Sequence, residues 1–123
     1  MPTNNYEASV SRLGSNLGLC ARARALVFGT PMVCEAMRGK RPPCLVLEAS
    51  DSSDNTHKRL TDKCNFYNVP HIRLPLSGAE LGAAVGKTST VAAVAITNEQ
   101  LCKPVLAAWT ALCESSPSND TSD

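Results

Sequence analysis

The short passage that follows Phe28 could bind an anion. Gly29 permits a tight turn that a side chain would obstruct, Thr30 is of a type that caps helices, and Pro31 is favoured at the first helical position. The N–H groups of a first helical turn have no partner within the helix, so they attract phosphate, carboxylate or RNA backbone. The sequence therefore predicts an anion-binding helix N-terminus here, with Thr30 as its cap.

A second phosphate-binding pattern is incomplete. Gly86, Lys87 and Thr88 match the end of a Walker A motif, but that motif needs a glycine five residues before Gly86, where this chain has Leu81. The motif also needs a strand before it and a helix after it, whereas a helix is predicted before Gly86 and none directly after Thr88. Nucleotide hydrolysis is therefore excluded.

Three side chains of metal-binding type lie at regular intervals, at His57, Cys64 and His71. On one helix, His57 and Cys64 would be about 10 Å apart along the axis, which is too far for one ion. Small zinc sites also use closely spaced ligand pairs, which are missing here. The simpler interpretation is an exposed His57, a buried Cys64 and a His71 that begins a strand. We predict no metal and no other cofactor.

Nucleophilic catalysis has no support in the sequence either. There is no glycine-flanked serine of the hydrolase type. Cys34 lies near the positive end of a predicted helix, but its neighbour Glu35 would oppose formation of a thiolate. A packing role for Cys34 is the better interpretation, and we predict that the protein is not an enzyme.

The elements that position these residues alternate between helix and strand. Apolar residues recur with the helical period in five segments and form short runs, typical of strands, in four. This order predicts an α/β fold, a three-layer α/β/α sandwich with a mixed, largely parallel four-stranded sheet. The strands are predicted at residues 25–28, 44–47, 71–74 and 91–96, with 44–47 central and 71–74 more exposed or at an edge.

Capping residues predict where the later helices begin. Ser53 starts the third helix, and Ser77 and Glu80 form a capping box at the fourth. A second capping box is predicted from Thr97 to Gln100. Pro104 is expected to delay the start of the last helix or to kink it.

The composition indicates a single domain in a reducing compartment. Residues 1–8 are predicted to be a flexible lead, residues 9–114 one domain, and residues 115–123 a disordered polar tail. The formal net charge is only +1, and six cysteines are scattered without paired spacing or a preceding signal peptide. These features predict a cytoplasmic protein with reduced thiols and no membrane segment.

The order of several landmarks resembles the kink-turn-binding ribosomal protein family. That family includes the archaeal large-subunit protein "L seven Ae", its eukaryotic relatives and small bacterial members of the YlxQ type. The resemblance runs from about residue 17 to residue 105. Its landmarks are residues 26–29 (LVFG), 44–51 (CLVLEASD), 60–64 (LTDKC), 69–70 (VP), and 80–86 (ELGAAVG) leading into 91–96 (VAAVAI).

The resemblance implies a non-enzymatic protein that grips kinked RNA helices. In the family, the glycine turn and the start of the next helix enter the RNA groove, and the loop before the last strand packs against the RNA. Relatives are found in ribosomes and other ribonucleoproteins. By position, the implied RNA-binding residues in this chain are Gly29, Thr30, Met32, Lys87, Thr88 and Ser89.

Three positions depart from the family pattern. The strongest binders carry Asn and Glu at the second and third positions after the glycine and Lys at the sixth, where this chain has Pro31, Met32 and Glu35. The resemblance therefore implies structured RNA, a kink-turn or ribosomal RNA, as partner, with weakened or altered kink-turn specificity. The alternative is a protein-interaction module on the same fold that has lost RNA binding, with Met32 as an apolar contact.

Overall fold

The computed structural model describes residues 5–115. Helix α1 begins at Asn5, four residues before the predicted start, and α5 continues through Ser115, inside the predicted tail. The rest of the predicted lead and tail, residues 1–4 and 116–123, lies outside the described residues. The elements are α1 (Asn5–Arg22), β1 (Leu26–Phe28), α2 (Thr30–Arg38), β2 (Leu45–Glu48), α3 (Asp54–Tyr67), β3 (His71–Arg73), α4 (Gly78–Ala84), β4 (Ala93–Ile96) and α5 (Glu99–Ser115).

The four strands of this region form one mixed sheet in the order β1-β4-β2-β3. The predicted central place of β2 and edge place of β3 are confirmed. β2 and β3 pair in parallel, but β4 is antiparallel to both β1 and β2. The expectation of a largely parallel sheet is therefore wrong, because the last strand enters the middle of the sheet in the opposite direction.

Helices cover both faces of the sheet, which confirms the three-layer α/β/α architecture. Successive residues of the central strands point to opposite faces. In β2, Leu45 and Leu47 pack with α1, α4 and α5, while Val46 packs with α2 and α3. In β4, Val94 and Ile96 face the layer of α1, α4 and α5, while Ala93 and Ala95 face the layer of α2 and α3. This burial on both faces explains the continuous apolar runs of the two strands.

Two of the predicted helix starts are confirmed. The Ser53 side chain caps α3 by accepting a hydrogen bond from the Thr56 amide at 3.1 Å. Ser77 and Glu80 form the predicted capping box of α4, since each side chain accepts from the other's backbone amide. None of the described helices has the length and apolar character to cross a membrane.

The predicted start of α5 is wrong by one residue. The cap is Asn98, whose Oδ1 accepts from the amides of Gln100 and Leu101 at 2.8 and 3.2 Å. Asn98 competes with Thr97 for this role, and its short amide side chain is a stronger cap. Pro104 lies inside the helix and does not delay its start at Glu99.

Candidate nucleic-acid interface

One wall of the candidate site is the turn between β1 and α2. Gly29 has φ 89° and ψ 146°, a backbone conformation that favours glycine. Its amide donates to the Ala93 carbonyl oxygen at 2.8 Å, and its own carbonyl accepts from the Val33 amide at 2.9 Å. The turn is therefore fixed to β4 on one side and starts the helix on the other.

Gly29, and not Thr30, is the N-cap of α2, so this detail of the sequence prediction is wrong. Thr30 is already the first helical residue, and its side chain is one position too late to cap. Among the described residues, no side chain makes a capping hydrogen bond at this helix start. The early amides of α2, among them those of Thr30 and Met32, therefore face away from the helix without a side-chain acceptor.

The opposite wall is the loop of residues 87–92, which α4 holds in place. The Lys87 amide donates to the Gly82 carbonyl at 2.8 Å, and the Val91 amide donates to the Gly78 carbonyl at 3.0 Å. A Cβ at Gly82 would collide with the Ser89 carbonyl oxygen, and one at Gly78 would collide with the Thr90 methyl group. The two glycines of α4 thus allow the loop to lie directly against the helix.

The two walls enclose an open groove of about 460 Å³. Four of the six predicted site residues line it: Gly29, Thr30, Lys87 and Ser89. Met32 and Thr88 are exposed but are not among its lining residues. The sequence prediction omitted the remaining lining residues, which are Phe28, Pro31, Thr90, Val91 and Ala92.

Phe28 is the most informative of the omitted residues. The Lys87 Nζ lies 4.3 Å from the centroid of its ring, within the range of a cation–π interaction. Phe28 directly precedes Gly29 in the sequence, so its place next to the turn could have been predicted. Its contact with Lys87 could not, because the two residues are 59 positions apart in the chain.

The charge of the groove is positive but small. Lys87 is the basic residue among the lining residues, and none of those residues is acidic. Glu35, which departs from the family pattern, forms an exposed ion pair with Arg38 on the same helix at 3.3 Å. The pair offsets part of the negative charge of Glu35, although exposed pairs of this kind stabilise by only about 0–1 kcal/mol.

The three residues considered for a metal do not share one place. Cys64 is buried in the core, with its Sγ 3.9 Å from the Met37 Sδ, and burial raises the pKa of its thiol to about 11. His57 and His71 meet instead at the buried carboxylate of Glu48, which the sequence prediction did not consider. Cys34 is buried in α2, in line with the packing role expected for it.

A family model for the ribosomal protein L7Ae/L30e/S12e/Gadd45 family matches residues 11–106. The chain belongs to this family. Two curated relatives are both named RNA-binding protein YlxQ. The one from Bacillus subtilis (strain 168) is 45% identical over 83 residues, which cover 68% of this chain and 80% of the relative. The one from Enterococcus faecium is 35% identical over 75 residues, covering 61% and 71% respectively.

Two solved structures have a similar fold. A protein of unknown function from Bacillus halodurans C matches with a TM-score of 0.73 and 31% identity, covering 79% of this chain and 95% of that one. The 15.5kD RNA binding protein of Giardia lamblia matches with a TM-score of 0.67 and 17% identity, covering 94% and 91%. At that identity the second match shows the fold alone. The predicted resemblance, including that to bacterial YlxQ-type members, is confirmed.

Proposed function

We propose that this protein binds structured RNA and is not an enzyme. The observation that carries the proposal is the groove in which the start of α2 faces Lys87. One wall supplies the uncapped backbone amides of the α2 N-terminus, and the other supplies the ammonium group of Lys87. Both can donate hydrogen bonds to phosphate oxygens. The names of the two YlxQ relatives, which are RNA-binding proteins, support the same function.

The proposed interface consists of Gly29, Thr30, Met32, Lys87, Thr88 and Ser89, with Phe28 added. Gly29 lets the RNA backbone approach the turn closely, because no side chain covers it. Thr88 and Ser89 are exposed and carry hydroxyls that can donate to phosphate or ribose. Met32, whose exposed fraction is 58%, would lie beside the groove and contact a base or sugar.

Specificity for kink-turns is proposed to be weakened or altered. Pro31 has no N–H and no side-chain donor, and Met32 has no strong hydrogen-bonding group. Neither can replace the Asn and Glu that the family resemblance implies for reading base edges. By analogy with DNA, each lost base contact costs about 1–3 kcal/mol of discrimination. Phosphate contacts, which carry no sequence information, would then supply most of the affinity.

A ribosomal or other ribonucleoprotein RNA in the cytoplasm is the proposed partner. Co-sedimentation of the tagged chain with ribosomal subunits, before and after RNase treatment, tests this part. Association that is lost on RNase treatment supports it. A chain that stays at the top of the gradient under low salt contradicts it.

Gel-shift titrations test RNA binding itself. The RNAs are a kink-turn, a straight duplex and a ribosomal RNA fragment, each at a low and a high salt concentration. We expect binding to at least one RNA at low salt, and a similar weakening of all bound complexes in Lys87→Ala. Lys103→Ala is the matched control, because it removes the same charge from α5, which does not line the groove. Failure to bind all three RNAs at low salt would refute the proposal.

A protein-interaction module is the second candidate, because Met32 is 58% exposed next to Pro31 on the first turn of α2. An exposed methionine suits an adaptable apolar contact with a protein partner. Co-purification that survives RNase treatment and is lost in Met32→Glu would favour this function. Loss of every partner on RNase treatment would exclude it.

A further inference from the structure

Three potential metal ligands converge at the β2–β3 side of the sheet, away from β1. The Glu48 Oε1 lies 2.9 Å from the His57 Nδ1 and 2.8 Å from the His71 Nε2. The three ligand atoms all lie within 4.8 Å of one another. Each comes from a different element, since Glu48 ends β2, His57 is on α3 and His71 begins β3.

The register of the sheet explains why these residues meet. Val46 is paired with His71 and Glu48 with Arg73, and all four lie on strands that are neighbours in the sheet. Glu48 is two residues after Val46, so it points to the same face, which α3 covers. α3 places His57 above the carboxylate, where the Glu48 side chain is completely buried.

The carboxylate of Glu48 is ionised and well supported. Burial raises the pKa of this group, but hydrogen bonds from Ser52, His57 and His71 outweigh burial and lower it overall. Ser52 donates to Oε2, and both imidazoles approach Oε1. The His57 Nδ1 also lies 3.1 Å from Oε2. Each imidazole presents one ring nitrogen to Oε1, and imidazole binds metals through a ring nitrogen that carries no proton.

We propose that Glu48, His57 and His71 bind a divalent zinc-type cation. Two imidazole nitrogens and one carboxylate oxygen are a recurrent ligand set for zinc, whereas calcium and magnesium prefer oxygen ligands throughout. In a tetrahedral zinc site the ligand atoms are about 3.3 Å apart, given metal–ligand distances near 2.0–2.1 Å. On metal binding, each ring proton would move to the other nitrogen of its imidazole, Nε2 of His57 and Nδ1 of His71, so that the lone pairs of the two ligating nitrogens face the metal. Oε1 would move away from these nitrogens by a few tenths of an ångström.

The proposed site is open to solvent on the His57 side, while the carboxylate of Glu48 is buried beneath it. The side chain of His57 is 42% exposed, that of His71 14%, and that of Glu48 is buried. The ion would therefore enter past His57, and water would take the fourth position. Ser52 acts as the outer partner that holds the carboxylate in place, a role that tunes metal affinity in other sites.

One neighbouring charge opposes the cation. The Arg73 Nε lies 3.7 Å from the Glu48 Oε2, and its side chain is 42% exposed. Arg73 is thus beside the oxygen that the metal does not use, and its long side chain can move toward solvent. Arg73→Gln should therefore tighten zinc binding, and a weakened affinity in this variant would contradict the proposed arrangement.

The test is a titration of the full chain with zinc chloride, followed by calorimetry and by NMR of the imidazole nitrogens. The chain has only two histidines, so every imidazole signal comes from His57 or His71. We expect one ion per chain, changes in both rings on the ligating nitrogens, and a higher melting temperature with zinc. Unchanged ring signals would overturn the proposal, and this readout needs no variant.

Variants identify the ligands. His57→Gln and His71→Gln should each weaken zinc binding by roughly tenfold or more, since loss of even an outer partner costs about 10–100-fold. Asp62→Asn is the matched control, because Asp62 is an exposed residue of the same helix α3 that pairs with Lys58. Equal affinity in all three variants would place the metal elsewhere and refute the site.

Cobalt separates this site from the six cysteines. Cobalt(II) bound by imidazole and carboxylate gives visible ligand-field bands without the near-ultraviolet charge transfer that thiolates produce. We expect that spectrum in the wild type and its loss in His71→Gln. A thiolate charge-transfer band that persists in His71→Gln would assign the metal to cysteines and overturn the proposal.

Discussion

The ring of Phe28 positions the ammonium group of Lys87 at the edge of the groove. A cation–π contact at an exposed site is worth about 0.5–1 kcal/mol, and here its distance is 4.3 Å. Phe28→Leu should therefore weaken RNA binding by about two- to fivefold, the same energy expressed as a ratio. The change should be smaller than that in Lys87→Ala, which removes the charge itself. Equilibrium titration of the two variants with one RNA measures this order, and a larger loss in Phe28→Leu would contradict it.

Cys64 should make the free energy of unfolding depend on pH in the alkaline range. Burial, and next the neighbouring Cys34, raise the pKa of its thiol from 9.0 to about 11. As pH rises, the thiol of the unfolded chain loses its proton before that of the folded chain. The contribution of this protonated thiol to the free energy of unfolding is therefore complete below pH 9.0 and is lost as pH rises toward 11. The loss amounts to about 2 kcal/mol at the upper end.

Cys64→Ala should remove this alkaline loss. The variant starts less stable because it loses packing against Met37, but the difference from the wild type should narrow above pH 9.0. Urea denaturation of both proteins across this pH range measures the free energy of unfolding. A difference that stays constant with pH would show that Cys64 keeps its proton equally well in both states.

At the scale of elements, α4 and its glycines decide the shape of the groove. A Cβ at Gly82 would collide with the Ser89 carbonyl oxygen, so Gly82→Ala should push the loop of residues 87–92 off the helix. We expect a loss of about 1–3 kcal/mol in the free energy of unfolding, together with weaker RNA binding. Thermal denaturation and gel shifts on the same samples measure both effects.

Gly14→Ala is the control for this change. The new methyl group would meet the Ala84 Cβ at 4.0 Å, an ordinary contact distance, and α1 would gain a better helix former. Its free energy of unfolding should rise by about 0.5–1 kcal/mol, with RNA binding unchanged. Equal destabilisation by both substitutions would mean that helix propensity, and not the loop contact, governs the effect.

The elements could largely be predicted from sequence, because their signals are local. The run at residues 44–47 and the capping box of Ser77 and Glu80 both act within a few residues. The direction of β4 had no such local signal, because it depends on the path that the chain takes from α4 back into the sheet. The predicted cap of α2 was wrong because Gly29, with its positive φ, is the N-cap, so the helix begins at Thr30. A Thr30 cap would have started the helix one residue later.

The candidate sites were predictable only where their members are close in sequence or match the family pattern. Gly29 was predicted from its neighbours in the sequence, and Lys87 was predicted from the family pattern. Glu48 was not, because a buried carboxylate depends on partners from α3, β3 and the loop after β2. A single acidic residue at the end of an apolar run gives no sign of which side chains will meet it.

At the scale of the whole molecule, the near-neutral charge limits how the proposed RNA partner can be bound. With a formal net charge of +1 there is little long-range attraction, so affinity must come from local contacts. We expect a shallow salt dependence, with roughly three phosphates or fewer neutralised per complex. The slope of log affinity against log salt should fall by about one in Lys87→Ala. A steep slope that Lys87→Ala does not alter would place the main RNA contacts outside the groove.

The central place of β4 also has a consequence for synthesis of the protein on the ribosome. β1 pairs with β4 and with no other strand of the described region, and the Gly29 amide donates to Ala93. A nascent chain that ends before residue 93 therefore has no partner for β1 and no anchor for the turn. The groove can therefore form only after β4, the last strand of the described region, has left the exit tunnel, and we expect chains that end before residue 93 not to bind the proposed RNA partner.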